Sequence, residues 1–261
     1  MSLMQAIILG IVQGITEFLP ISSSGHLVLM QKIFGITEPT LLFDTCVHLG
    51  TLLAVFAVFR EDILSILKKP FQKLTWLLVV GTIPTAVIGV VFKDFFEELF
   101  HTGSTLGVEF LITGLILLWS GTQRNGKKGL KQTTYLDAAF VGVMQGAAIL
   151  PAISRSGLTI SGALFRKMDR EFAARFSFLM SIPAILGATV FQLKDIAQAG
   201  STGLSYGTLV TGSLAAALAG YLSIKYMLEV LKKGKLRYFS YYVFVLGGLV
   251  LLDQHITHIF F

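Results

Sequence analysis

Residues 13–26 read Gln13-Gly14-Ile15-Thr16-Glu17-Phe18-Leu19-Pro20-Ile21-Ser22-Ser23-Ser24-Gly25-His26. A second stretch repeats their outline: Gln145-Gly146-Ala147-Ala148-Ile149-Leu150-Pro151-Ala152-Ile153-Ser154-Arg155-Ser156-Gly157. Sliding the chain on itself by 132 positions places Gly10 on Gly142, Gln13 on Gln145, Ser22 on Ser154, Ser24 on Ser156 and Gly25 on Gly157, without a gap. Each stretch runs from an apolar segment through a proline into serine and glycine, which is turn chemistry. An apolar segment interrupted at matching places in both halves of a membrane protein points to its binding site.

The surroundings fit a bilayer. Of 261 residues, 54% are hydrophobic and 14% charged, and the mean hydropathy is +0.74. Soluble domains carry about 25% charged residues. The net charge of +6 is not a nucleic-acid signal, because the basic residues sit in short loops between apolar runs. Cys46 is the single cysteine, which rules out an intrachain disulfide. The first segment lacks a basic leader and carries Glu17, so it does not read as a cleavable signal.

The pattern predicts an all-α polytopic integral membrane protein, a single membrane domain over 1–261. It has six transmembrane helices plus two re-entrant helix-loop-helix hairpins, arranged as inverted-topology repeats. The first repeat, 1–125, holds a hairpin at about 4–36 and spans near 42–59, 76–92 and 106–121. The second, 133–261, holds a hairpin at about 136–166 and spans near 172–191, 207–224 and 239–254. Irregular backbone at membrane depth survives where it is buried in protein or lines a wet cavity.

Loop charges test this layout and its orientation, although both arms of a hairpin crossing fully would preserve the same parity. Segments 60–75, 122–135, 165–175 and 225–238 hold all the lysines and arginines except Lys32, Lys93, Lys194 and Arg155. Basic loops favour the cytoplasmic side. Three spans per half then put all four clusters on one side, both termini outside, and the two hairpins entering from opposite faces. Asp94, Glu97 and Glu98 read as a solvated outer loop. His48, His101, His255 and His258 lie near span ends and read as interfacial. Asp44, close behind the first hairpin, reads as a support to it.

Arg155 remains at membrane depth, with Glu17 as its acidic counterpart. Ionisable groups there are costly and mark function. Gln13 and Glu17 share a helix face. Ser22, Ser23 and Ser24 supply hydroxyls, and His26 follows. Ser154, Arg155 and Ser156 lead into a helix expected near Leu158, with Thr159 in its first turn. A helix N-terminus binds phosphate, and arginine adds a bidentate fork. This inventory suits phosphoryl transfer, which works by positioning and charge stabilisation. The bland readings are a packed serine bend, interhelical glue for Gln13 and Glu17, a helix cap for His26 and a snorkelling Arg155.

Taken together, the two motifs resemble the signature motifs of the undecaprenyl-diphosphate phosphatase, or bacitracin-resistance, family, and the resemblance covers essentially the whole chain. It implies a membrane phosphatase that converts undecaprenyl diphosphate to the monophosphate and recycles the lipid carrier for cell-wall synthesis. By motif, Glu17, Ser23 and His26 match its first catalytic group, with Ser22 and Ser24 beside them. Ser154, Arg155, Ser156 and Thr159 match its phosphate-binding group. Gln13 stands where many members carry a second glutamate, and Ala152 where the second motif often has glycine. The reading assigns catalysis to Glu17, Ser23, His26 and Arg155, with Ser23 the preferred nucleophile and a directly attacking His26 second. It assigns substrate binding to Gln13, Ser22, Ser24, Ser154, Ser156 and Thr159. The family resembles a divalent-cation enzyme, so magnesium or calcium is expected at Glu17, arriving with the diphosphate. The implied setting is the bacterial inner membrane, with the headgroup entering from the periplasmic or extracellular side. Expected partners are the polyprenyl diphosphate and membrane lipids, not nucleic acid; a homo-oligomer is left open. A lipid flippase or transporter is the competing class, since inverted repeats with broken helices are transporter anatomy.

Overall fold

The computed structural model describes residues 1–37, 40–199 and 204–260. These residues form an all-α polytopic membrane protein of twelve α-helices closed by a π turn at Asp253–Thr257. The first broken segment is α1 (Leu3–Phe18) and α2 (Ser23–Ile33); α3 (Leu41–Val58), α4 (Arg60–Lys68), α5 (Lys73–Val91), α6 (Lys93–Thr102) and α7 (Leu106–Gly121) follow. The second is α8 (Tyr135–Ala147) and α9 (Arg155–Phe165), followed by α10 (Arg170–Ala199), α11 (Tyr206–Lys232) and α12 (Arg237–Leu252).

Helix length separates two kinds of element. Among the described residues, five helical stretches are long and apolar enough to cross a membrane: α3, α5, Arg170–Leu193 of α10, α11, and Arg237–Thr257. The sixth expected span, α7, has 16 residues and packs along α12. The hairpin arms α2 and α9 have 11 residues each. At 1.5 Å per residue such an arm reaches about 16 Å, half of a hydrocarbon core of ~30 Å.

The bundle is apolar on the outside, and its mostly apolar interior also buries polar groups. Leu115, Val190, Leu218 and Val245 point outward, while Gln13, Gln145, Thr113, Ser177 and Ser181 are buried. Lipid tolerates that outer surface, and the buried polar groups need internal partners. At the centre Phe18 meets Phe178 edge to face, with ring centroids 5.5 Å apart. Two helix pairs repeat one another: α1 lies along α11 and α8 along α5. Their approach depends on glycine. A Cβ at Gly10 would strike the carbonyl oxygen of Gly212, and one at Gly142 that of Gly81.

The four basic segments touch one another at one end of the bundle. Lys73 donates to the Lys131 carbonyl, Lys128 pairs its backbone with Lys167 and Asp169, and Gly234 packs on the Arg170 guanidinium. Arg175 holds Asp62 through two hydrogen bonds, tying α4 to α10. Asp137 accepts from Lys128 at 2.9 Å and from Arg166 at 2.6 Å. Burial works to raise its pKa, but these cations and the Thr134 backbone outweigh it and hold the carboxyl well below the usual range. At the opposite end Gln254 donates to the Gly103 carbonyl and Lys32 to that of Phe260.

Two segments expected as loops are helical. Residues 60–68 form α4 and 93–102 form α6, both short and amphipathic with apolar faces turned to the bundle or the bilayer. Their alternating charges masked the helical period. The side chains of His101 and Lys194 lie outside the described residues.

Candidate active site

Two loop tips meet in the interior. Helix α1 stops before Pro20, which has no N–H to continue it. Ser22 then turns back with φ 67°, in the left-handed region, a conformation that costs a non-glycine residue about 1–2 kcal/mol. Its Oγ accepts the Gly25 N–H at 3.4 Å and so caps α2. Ser154, with an ordinary φ of −72°, caps α9 through the Gly157 N–H at 3.0 Å. Helix α9 therefore begins at Arg155, three residues before the expected start near Leu158. The loops are stitched together: Ser22 donates to the Pro151 carbonyl at 2.9 Å and Ser156 to the Leu19 carbonyl at 3.0 Å.

This stitching brings Glu17 and Arg155 into contact. Arg155 Nη2 lies 2.5 Å from Glu17 Oε1. Ser23 Oγ donates to Glu17 Oε2 at 2.6 Å, and Gln13 Nε2 donates to the same oxygen at 3.0 Å. Glu17 is 7% exposed and Gln13 fully buried. Two polar atoms here have no partner among the described residues: Arg155 Nη1, a donor, and Gln13 Oε1, an acceptor. The hydroxyl of Ser24, half-buried at the start of α2, also makes no hydrogen bond among the described residues. The cluster thus holds a hydroxyl aimed at a carboxylate, beside a guanidinium nitrogen that is buried and has no partner among the described residues.

Sequence comparison supplies the family. Residues 6–249 match the family model described as bacitracin resistance protein BacA. The chain belongs to the BacA family. It is 60% identical over 256 residues to the undecaprenyl-diphosphatase of Carboxydothermus hydrogenoformans, covering 97% of this chain and 98% of that one. It is 50% identical over 260 residues to undecaprenyl-diphosphatase 4 of Bacillus thuringiensis, covering all of both. The undecaprenyl-diphosphatase of Halothermothrix orenii is 46% identical over 254 residues.

The BacA-family motifs do not all face the cluster. Gln13, Glu17, Ser23 and Arg155 converge. His26 turns away: its Nδ1 lies 2.6 Å from the Ser22 carbonyl and its Nε2 2.8 Å from the Tyr242 hydroxyl. A carbonyl only accepts, so Nδ1 carries the proton and Nε2 accepts from tyrosine. Both ring nitrogens are thereby occupied, and neither bonds Ser23. The hydroxyls of Ser22, Ser154 and Ser156 serve the caps and cross-links. Thr159 lies buried, within 2.5 Å of Ser177 and bonded to the Arg155 carbonyl.

Three residues beside the cluster, His48, Glu109 and Thr113, went unassigned in the sequence, while Asp44 was read as a support to the first hairpin. His48, expected at an interface, places Nε2 3.8 Å from Glu17 Oε2 while Nδ1 bonds the Asp44 carbonyl. The Asp44 carboxylate accepts from Gln31 and Thr40. Glu109 on α7 accepts the Ala152 N–H at 2.6 Å, and Thr113, one turn on, accepts the Ser154 N–H and donates to the Ala152 carbonyl. The four-residue spacing of Asp44 and His48 puts both on one face of α3, which was the available signal. For Glu109 the signal was a carboxylate one turn from a threonine in an otherwise apolar span.

Proposed function

We infer that the protein hydrolyses undecaprenyl diphosphate to undecaprenyl phosphate and inorganic phosphate, recycling the lipid carrier for cell-wall synthesis. The observation that carries this reading is the 2.6 Å hydrogen bond from Ser23 to Glu17, set beside the unpartnered Nη1 of Arg155. A serine hydroxyl bonded to a carboxylate is an activated nucleophile, and the guanidinium stabilises phosphoryl oxygens as charge develops. Ser23 Oγ attacks the terminal phosphorus and its proton passes to Glu17 Oε2. The bond from that phosphorus to the bridging oxygen breaks, and undecaprenyl phosphate departs. Water then attacks the phosphoserine; Glu17 returns its proton to Ser23 Oγ, and the water's protons leave with inorganic phosphate. His26 positions the nucleophile by holding the Ser22 carbonyl next to it.

Among the described residues no three His, Cys, Asp or Glu side chains cluster to hold a metal ion. Both oxygens of Glu17 are already engaged, and Gln13 Oε1 is a buried oxygen beside them without a partner among the described residues. Hard cations take six or more oxygen ligands. A magnesium or calcium ion would therefore share Glu17 and Gln13 Oε1 with the diphosphate itself and neutralise phosphoryl charge there.

Repeated packing of α1 on α11 and α8 on α5, with glycine at equivalent contacts, supports inverted repeats over 1–125 and 133–261. Convergence of the basic segments supports a cytoplasmic face there, in the bacterial plasma membrane, with the headgroup entering from outside. Labelling of Ser24→Cys by an impermeant thiol reagent in intact cells tests that side; protection from outside counts against it. The activity itself is tested by phosphate release from purified protein in detergent, with and without a chelator. A flippase leaves the diphosphate intact in that assay, and an absence of released phosphate refutes the phosphatase.

A further inference from the structure

The break at Pro151 leaves the second loop with backbone groups that its own helices do not satisfy. Ala152, Ile153 and Ser154 are all buried, and buried N–H groups need partners inside the protein. The Ala152 N–H finds one in Glu109 Oε2 at 2.6 Å, and the Ser154 N–H in Thr113 Oγ1 at 3.2 Å. Thr113 in turn donates its hydroxyl to the Ala152 carbonyl at 3.1 Å. Three backbone groups in the run leading to Arg155 are thus held by two side chains one turn apart on α7.

Two features set this clamp apart from ordinary helix packing. Glu109 is 3% exposed, its other oxygen accepts the Thr105 hydroxyl at 2.6 Å, and among the described residues no lysine, arginine or histidine pairs with it. A carboxyl group buried without a cation is a costly way to satisfy one N–H, which a neutral hydroxyl would serve. What a carboxylate adds is a shorter and stronger bond. The same helix also bears on the first loop. Phe110 meets His26 edge to face with ring centroids 5.7 Å apart, and a Cβ on Gly25 would fall 2.6 Å from the Phe110 ring and 3.2 Å from the Ala152 Cβ. Helix α7 therefore touches both tips and sets the gap between them.

We propose that Glu109 and Thr113 are positioning residues that hold Arg155 in register for phosphoryl transfer, a role that rests on the phosphatase activity inferred above. They act through the backbone, since Ala152 lies three residues before Arg155 and Ser154 one before it. The bonds from Ser22 to Pro151 and from Ser156 to Leu19 join the loops to each other, and by themselves they let both tips shift together. The bonds to α7 anchor the second tip to a helix outside both hairpins. In the reaction Arg155 offers Nη1 to the phosphoryl oxygens beside its Nη2 contact with Glu17. A displacement of about 1 Å in such a group can cost on the order of a hundredfold in rate.

The test is a double-mutant cycle on phosphate release from undecaprenyl diphosphate by the full chain in detergent. Glu109→Leu removes both acceptor oxygens at similar volume and is expected to lower kcat/KM about tenfold or more, a loss near 1.4 kcal/mol. Glu109→Gln keeps an acceptor for the Ala152 N–H and is expected to stay within about threefold of the wild type. In an Arg155→Lys background, whose ammonium lacks the planar fork that needs alignment, Glu109→Leu is expected to cost less than about threefold. Equal losses in the two backgrounds, or a Glu109→Gln variant as slow as Glu109→Leu, overturn the proposal. Should Glu109→Leu fail to fold, Thr113→Val takes its place in the same cycle. A loss of about threefold or more that shrinks in the Arg155→Lys background upholds the positioning role, and no loss or an equal one overturns it. No phosphate release by the wild type removes the phosphatase reading and this role with it. Release by the wild type with equal losses in both backgrounds removes the positioning role alone.

Discussion

Ser22 and Ser154 each cap a short helix through a glycine three residues on, and the residue that starts the helix is Ser23 in one loop and Arg155 in the other. The same displacement of 132 that aligns the caps aligns these two. Around that shared frame the loops diverge. In the first, Glu17 takes the Ser23 hydroxyl, and Ser22 holds its backbone at positive φ. In the second, α7 clamps the tip through Glu109 and Thr113, and every hydroxyl is spent on caps and cross-links. Gln13 and Gln145 show the same divergence: one donates to Glu17, the other to Thr85. The two loops thus share the cap hydrogen bond and differ around it, and the proposed function puts attack on the first and charge and rigidity on the second.

The sharpest way to break this comparison is at the helix starts. Ser23→Ala removes the proposed nucleophile and is expected to cut phosphate release on the order of 10³-fold or more, with the protein still folded. Near-normal turnover would return the attack to water. Arg155→Lys keeps the charge but loses the planar fork. Turnover is expected to fall about ten- to a hundredfold, for ~1.5–3 kcal/mol lost; wild-type rates would take Arg155 out of the site. Ser156→Ala deletes the stitch to Leu19 and the 3.3 Å contact with the Ser154 hydroxyl. It is expected to lower stability by about 1 kcal/mol, read as a denaturation midpoint, with a smaller loss of rate than either change before it.

The smallest effect is confined to acid pH and lies far from both tips. The Asp137 carboxyl is held below its ordinary pKa in the folded protein by Lys128, Arg166 and Thr134. A depressed folded pKa gives stability that is present above the ordinary carboxylate pKa of about 3.9 and is lost as pH falls. Wild-type stability should therefore drop progressively below about pH 5. Asp137→Asn should show less of that drop, seen as a flatter plot of thermal midpoint against pH. Equal slopes would mean that Asp137 is not the group being titrated.

Hydropathy and breaks made the helices and both hairpins legible, because a proline beside serine and glycine ends a helix wherever it packs. The meeting of Glu17 with Arg155 was legible from charge at depth. What escaped the sequence was orientation. His26 lies one turn beyond Ser22, and the helical start at Ser23 aims it at Tyr242, 216 residues away. Ser-Arg-Ser-Gly reads as a turn, which hid the first turn of α9. His48 and Glu109 sit on apolar helices whose facing is set by packing on α1 and on the second loop, not by local period. The amphipathic α4 and α6 were concealed by charges that a loop would carry equally well.

The contact between Glu17 and Arg155 also sets the charge balance of the site. One negative and one positive group at bonding distance leave almost no net field, so the resting pocket is tolerable at membrane depth. A diphosphate entering such a pocket brings more negative charge than one already half-compensated guanidinium balances. Cation and headgroup would then enter as a matched set, and the affinity for each would climb with the concentration of the other.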